Sequence, residues 1–143
     1  MPYCTLADIR ERIPDKVIIQ LTDDARTGDI DAARVVAAIA RADGEINAWC
    51  GTRYRVPFAA VPPVIGQLSA DMAVYHLYAR KAEKIPDTRA AGYKNAVELL
   101  KEISRGNVSL GAEGVIEERT GGGAAVVGGG GRRLTRDTLE GGF

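Results

Sequence analysis

One histidine, His76, and two cysteines, Cys4 and Cys50, are all that this 143-residue chain offers as imidazole or thiolate ligands. A multi-histidine metal site within one chain is therefore excluded. The two cysteines are too few and too far apart for a disulfide framework or a zinc site. They read as reduced thiols of a cytoplasmic protein. Net charge is absent as well, since 19 Lys plus Arg balance 19 Asp plus Glu. No global field draws such a chain to nucleic acid or to a membrane surface. Long apolar runs are missing: the longest, Val35 to Ala40, has six residues, against the ~20 that span a bilayer. Met1 to Thr5 shows no basic region leading into an apolar stretch, so no secretory signal is expected.

Catalytic patterns are equally scarce. A nucleophile and base would have to combine His76 with Cys4, Cys50 or a serine, and no elbow or flanking motif frames any of them. His76 follows Tyr75 in an amphipathic run and reads as a helix-surface or core-edge histidine. The glycine runs lack a following Gly-Lys-Ser/Thr, so they do not form a phosphate loop. The aspartates of the loop from Thr22 to Asp31 lack the alternating spacing and the closing glutamate of a calcium loop. That loop reads as solvated, with Asp31 as a helix N-cap. The expectation is a protein with no catalytic site, no cofactor and no metal.

What the chain does have is helical periodicity. From Asp31 to Tyr54, Val35, Ile39, Ala42, Ile46 and Trp49 recur at three- and four-residue steps. From Pro62 to Lys84, Ile65, Leu68, Met72, Tyr75 and Ala79 do the same. A proline-rich corner, Arg55 to Pro63, joins the two runs, and so short a link predicts side-by-side, antiparallel packing. Asp87, as N-cap, opens a third helix carrying Tyr93, Ala96, Val97, Leu100 and Ile103, and Gly106 ends it. Ahead of the pair, Thr5 and Asp8 have the spacing of a capping box. They predict a short helix from Leu6 to about Arg12, broken by Pro14, and a second short helix over Asp15 to Leu21. The fold class is all-α: a small antiparallel helical bundle over residues 1–110. Its expected core is Val35, Ile39, Ile46, Trp49, Leu68, Met72, Tyr75, Val97 and Leu100. Asp71 lies near the apolar stripe of the second long helix and needs a cationic partner there. Arg53 or Arg80 is the natural candidate, and an Arg53–Asp71 ion pair locking the helical hairpin is expected.

Composition changes at Gly111. Eleven of the 17 glycines fall in the last 33 residues, too glycine-rich a stretch to form a core of its own. Val115-Ile116 and Ala124 to Val127 are short β-prone islands within it. The end carries Arg132, Arg133, Leu134, Arg136, Leu139 and Phe143. Residues 111–143 thus read as a C-terminal arm that binds a partner and can form short strands on it.

Taken in order, Tyr3 to Asp8, Ile19 to Asp23, Gly51 to Tyr54, Val61 to Val64, Asp71 to Tyr78 and Leu134 to Phe143 resemble the Mu-like bacteriophage neck protein family. The resemblance covers nearly the whole chain, and its specificity lies in the order and spacing of these pieces. It implies a virion structural protein, a head–tail connector or adaptor whose helical bodies form a ring beneath the portal, with twelve-fold symmetry included in what the family suggests. It also implies the portal and the next neck or tail protein as partners, DNA only as passing cargo, and no membrane. The place implied is the virion neck, with assembly in the host cytoplasm. Two other readings fit the same chain: a tail-completion or terminator ring, and a small helical DNA-binding packaging protein. The helix from Asp87 to Arg105 mixes Glu98 and Glu102 with its basic residues, which gives no recognition face for DNA.

Overall fold

A computed structural model describes residues 1–81 and 84–111, and the arm residues 112–143, with every expectation placed on them, lie outside the described residues. Among the described residues there are five helices: α1 Leu6–Arg10, α2 Asp15–Thr22, α3 Ala32–Cys50, α4 Pro63–Lys81 and α5 Asp87–Ser104. Among the described residues there is no strand.

The helix ends are set by local chemistry. The Asp8 carboxylate accepts from the Thr5 backbone N–H at 2.8 Å and from its hydroxyl at 3.2 Å, which starts α1. Pro14 separates α1 from α2 and stands as the N-cap of α2. Asp31 caps α3 by accepting from Ala33 N at 3.0 Å. The Thr22 hydroxyl donates to Ile18 O at 2.8 Å and accepts from Asp31 N at 3.1 Å, so the end of α2 is tied to the start of α3. α4 begins at Pro63, where the missing N–H costs nothing. The cap of α5 is Pro86, with Asp87 as the first helical residue, one position later than expected for it. There its charge still faces the positive end of the helix dipole. α5 closes with Gly106 N bonded to Ile103 O and Asn107 N bonded to Glu102 O. That pair of bonds requires the left-handed backbone of Gly106, φ +85°.

α3 and α4 form the main seam, α5 packs across both, and α1 and α2 lie against α4. Asp43 of α3 meets Ser69 of α4, while the first turn of α3 and the last turn of α4 share the carboxylate of Asp24. The two long helices therefore run antiparallel. Val35, Ile39, Ile46, Leu68, Met72 and Leu100 are buried, together with Ile9, Ile18, Ile65, Leu77 and Ile103. Trp49 and Val97 are half-buried and pack on the rim of this core. Tyr75 is half-buried too, with its ring stacked on Tyr93 at 4.1 Å. α1 and α2 contribute more core than their lengths suggest, because Ile9, Ile13, Ile18 and Leu21 all point inward.

Ile46 is fully buried at the centre of the α3 stripe. Ile46→Ala should lower stability by about 2–5 kcal/mol in urea unfolding, and Trp49→Ala by less. A loss for Ile46→Ala below about 1 kcal/mol would place it outside a packed core.

Candidate functional site

Three polar clusters and one apolar groove carry the features that a function could use. The first cluster fastens the N-terminal segment. Asp43 of α3 accepts from Tyr3 N at 2.9 Å through one carboxylate oxygen and from Ser69 Oγ at 2.6 Å through the other. The Tyr3 hydroxyl donates to Asn47 Oδ1 at 2.5 Å and accepts from Phe58 N at 3.0 Å. Cys4 Sγ lies 3.2 Å from Ser69 Oγ. Ser69 has one proton, directed to Asp43, so the thiol is the donor in that contact. Burial pushes the Cys4 thiol up to about 11, and burial does the same to Cys50. Neither is poised as a thiolate nucleophile at neutral pH.

The second cluster surrounds His76. Its side chain is buried rather than on the helix surface, and Nε2 meets Glu45 Oε1 at 2.7 Å. Tyr93 donates its hydroxyl to the other Glu45 oxygen at 2.7 Å. Burial, and then the bond to Glu45, push the Tyr93 phenol up to about 12. Tyr75 stacks on Tyr93, and the His76 ring meets both edge-on. The cluster joins α3, α4 and α5 through one carboxylate. No serine or cysteine shares a hydrogen bond with His76 among the described residues.

The third cluster lies at the end of α2. Asp24 receives Arg80 at 2.7 Å, Lys81 at 3.1 Å and Arg34 at 3.2 Å. The hydrogen bonds from Arg80 and Lys81 hold its carboxyl well below the usual carboxylate range. Within the same loop, Asp23 accepts from Thr27 N at 2.9 Å and Gly28 N at 2.7 Å. Asp24 thus ties the loop to α4, while residues 24–29 are exposed to solvent, as the sequence suggested.

Asp71 requires a correction. Its partner is Arg12, with Nε 2.6 Å from Oδ1, and not Arg53. Arg53 is exposed, and its guanidinium lies against Gly106, where a Cβ would come within 2.6 Å of Nη1. Arg80, the other candidate, is engaged with Asp24 and with Leu21 O. Periodicity does not reveal Arg12 as a partner, because it comes from the turn after α1 and reaches α4 only once the N-terminal segment docks. Nor does periodicity reveal Glu45 as the acceptor that joins three helices. The arm residues Arg132, Arg133, Leu134, Arg136, Leu139 and Phe143 lie outside the described residues.

The groove, of about 620 Å³, runs along the outer side of α3 between Val36, Ala40 and Gly44 and the N-terminal residues Met1, Pro2 and Leu6. Val36 is 64% exposed and Met1 87% exposed, the two large apolar side chains most open to solvent among the described residues.

These features define a small all-α module whose charged and polar side chains are engaged mainly in fastening its own helices. The sequence model of the family described as Bacteriophage Mu, Gp36 matches residues 3–128, and the chain belongs to that family. The Mu-like prophage FluMu protein gp36 of Haemophilus influenzae is 27% identical over 109 residues, covering 76% of this chain and 75% of that protein.

Two outcomes are expected from these clusters. Arg12→Met should destabilise the protein by about 1 kcal/mol or more in chemical unfolding, whereas Arg53→Met should change stability by less than about 0.5 kcal/mol. The reverse order would restore the Arg53–Asp71 pairing. The depressed carboxyl of Asp24 contributes stability that is present above the unfolded carboxylate value of about 4 and is lost as pH falls through its lower folded value. The Tm difference between the protein and Asp24→Asn should therefore stay level from neutral pH to about pH 5 and shrink below about pH 4. A difference that grew on acidification would contradict the assignment.

Proposed function

We propose that this protein is a virion structural component, a head–tail connector (adaptor) that forms a ring beneath the portal and leaves a channel for DNA. The observation that carries this reading is the match of residues 3–128 to a family of Mu-like bacteriophage proteins. The geometry supports it in three ways. The helical body holds its polar groups in internal bonds. Its cysteine thiols are buried and held in the protonated form, so the body has the character of a scaffold rather than of a reaction centre. An apolar surface on α3 remains for contact with other chains or segments.

In this reading copies of the bundle stand side by side around the channel, twelve of them by family resemblance, and DNA passes without being read. No helix among the described residues is long and apolar enough to cross a membrane, in keeping with a place in the virion neck. The C-terminal tip, with Arg132, Arg133 and Arg136 among Leu134, Leu139 and Phe143, meets the portal, its cations facing acidic surface and its apolar side chains filling pockets.

Electron microscopy of the purified protein mixed with its portal should reveal a ring on the portal's tail-facing side. Deleting Arg132 to Phe143 should leave the helical circular dichroism and the melt unchanged but abolish co-sedimentation with portal rings. Equal binding by both chains would make the helical body alone the joint. Rings that cap tails and ignore the portal would replace the connector with a tail terminator.

A further inference from the structure

The groove on α3 is apolar and open, and its only charged side chain is engaged. Of the residues lining it, Asp43 alone carries a charged side chain, and both of its oxygens are taken by Tyr3 N and Ser69 Oγ. A charged occupant would find among the lining side chains only a carboxylate already bonded at both oxygens, and would lose hydration on entry. The best occupant is therefore uncharged, apolar and narrow enough to lie beside the small residues Ala32, Ala40 and Gly44.

The chain itself contains such a segment. Thr120 to Gly131 is uncharged throughout and has Ala124-Ala125-Val126-Val127 at its centre. The other apolar islands of the arm are flanked by charge: Val115-Ile116 by Glu113, Glu117 and Glu118, and Leu134 and Leu139 by Arg133, Arg136, Asp137 and Glu140. The path also fits. The described body ends at Gly111, just after Leu110 N donates to the Tyr54 hydroxyl at 2.9 Å. The Tyr54 ring contacts Phe58, and Phe58 contacts Tyr3. Tyr3 and Pro57 line the groove. The arm thus leaves the body beside one end of the groove. The thirteen steps from Gly111 to Ala124 can extend to about 45 Å. The α3 wall from Ala32 to Asn47 is only about 22 Å long.

We infer that residues Ala124 to Val127 dock in the α3 groove of their own chain, anchoring the middle of the C-terminal arm to the helical body. The site offered to the segment is Val36 over the apolar floor formed by Val35 and Ile39. The tether raises the local concentration of the segment at the groove, so four small side chains suffice to keep it seated. The terminal residues Arg132 to Phe143 then start from a fixed point on the body instead of from Gly111. This inference stands on the groove and the charge pattern, independently of the connector reading.

Cross-linking in the full chain tests it. Val36→Cys is combined in turn with Thr120→Cys, Val126→Cys and Leu139→Cys under mild oxidation by oxidised glutathione, the native thiols being buried. Loop closure alone favours Thr120→Cys, the position of the three nearest to Gly111, whose nine steps extend to about 30 Å and so reach Val36. Docking instead makes the Val126→Cys pair fastest by about fivefold or more, within monomers. A Thr120→Cys pair that matches or exceeds it overturns the inference. So does a covalent dimer as the main product, which would assign the groove to a second copy. As an independent reading, Val126→Asp with Val127→Asp in the Val36→Cys chain should raise the rate of maleimide labelling at residue 36 by about fivefold or more. An unchanged rate also overturns the inference. Failure of either arm leaves the portal co-sedimentation result untouched, so the two readings fail separately.

Discussion

A carboxylate held between three segments fixes how this small protein closes. Asp43 sits on α3 at the seam with α4, half-buried, and a charge in that position must find donors or the seam becomes unfavourable. It finds them in the backbone N–H of Tyr3 and the hydroxyl of Ser69, one from the N-terminal segment and one from α4. Those two bonds bring Tyr3 under the corner between the long helices, where its hydroxyl satisfies Phe58 N and its ring packs against Phe58. α1 and α2 follow, since they leave directly from this anchored segment. Arg12 is thereby delivered to Asp71, and Arg89 of α5 donates to the Arg12 carbonyl at 2.9 Å.

The same logic recurs on the opposite side of α3. Glu45 accepts from Tyr93 and meets His76, so one side chain gathers α3, α4 and α5. In most small bundles apolar packing sets the distance between helices and polar pairs set their register. Here the register is set by two acidic residues of one helix, two positions apart, each answering a different neighbour. The cost is a half-buried pair of carboxylates, and the gain is a single arrangement of five short elements.

The surface divides accordingly. Charged residues collect at the helix ends, with Asp24 receiving Arg34, Arg80 and Lys81. The outer side of α3 stays apolar and small, with Val36, Ala40 and Gly44 facing the groove. A face of that kind suits apolar contacts rather than small charged ligands.

Much of the fold was legible in the order of residues. The three long helices, the capping of α3 by Asp31, the break at Pro14 and the stop at Gly106 follow from periodicity and local backbone chemistry, which act over four or five residues. The core positions Val35, Ile39, Ile46, Leu68, Met72 and Leu100 follow from the same periodicity, because a buried stripe must repeat with the helical turn. Trp49, Val97 and Tyr75 were harder to place. A stripe gives the direction of a side chain, not whether a neighbouring helix extends far enough to cover it. The partners of polar residues that meet across different helices were not legible. Asp71 chose Arg12 over Arg53, and His76 found Glu45 and two tyrosines, through contacts between elements far apart along the chain. Sequence alone determined which segments coil and which faces must be hidden, since those depend on near neighbours. Only the tertiary structure decided which charge meets which and where an apolar groove is left open, because both depend on how whole helices are set against one another.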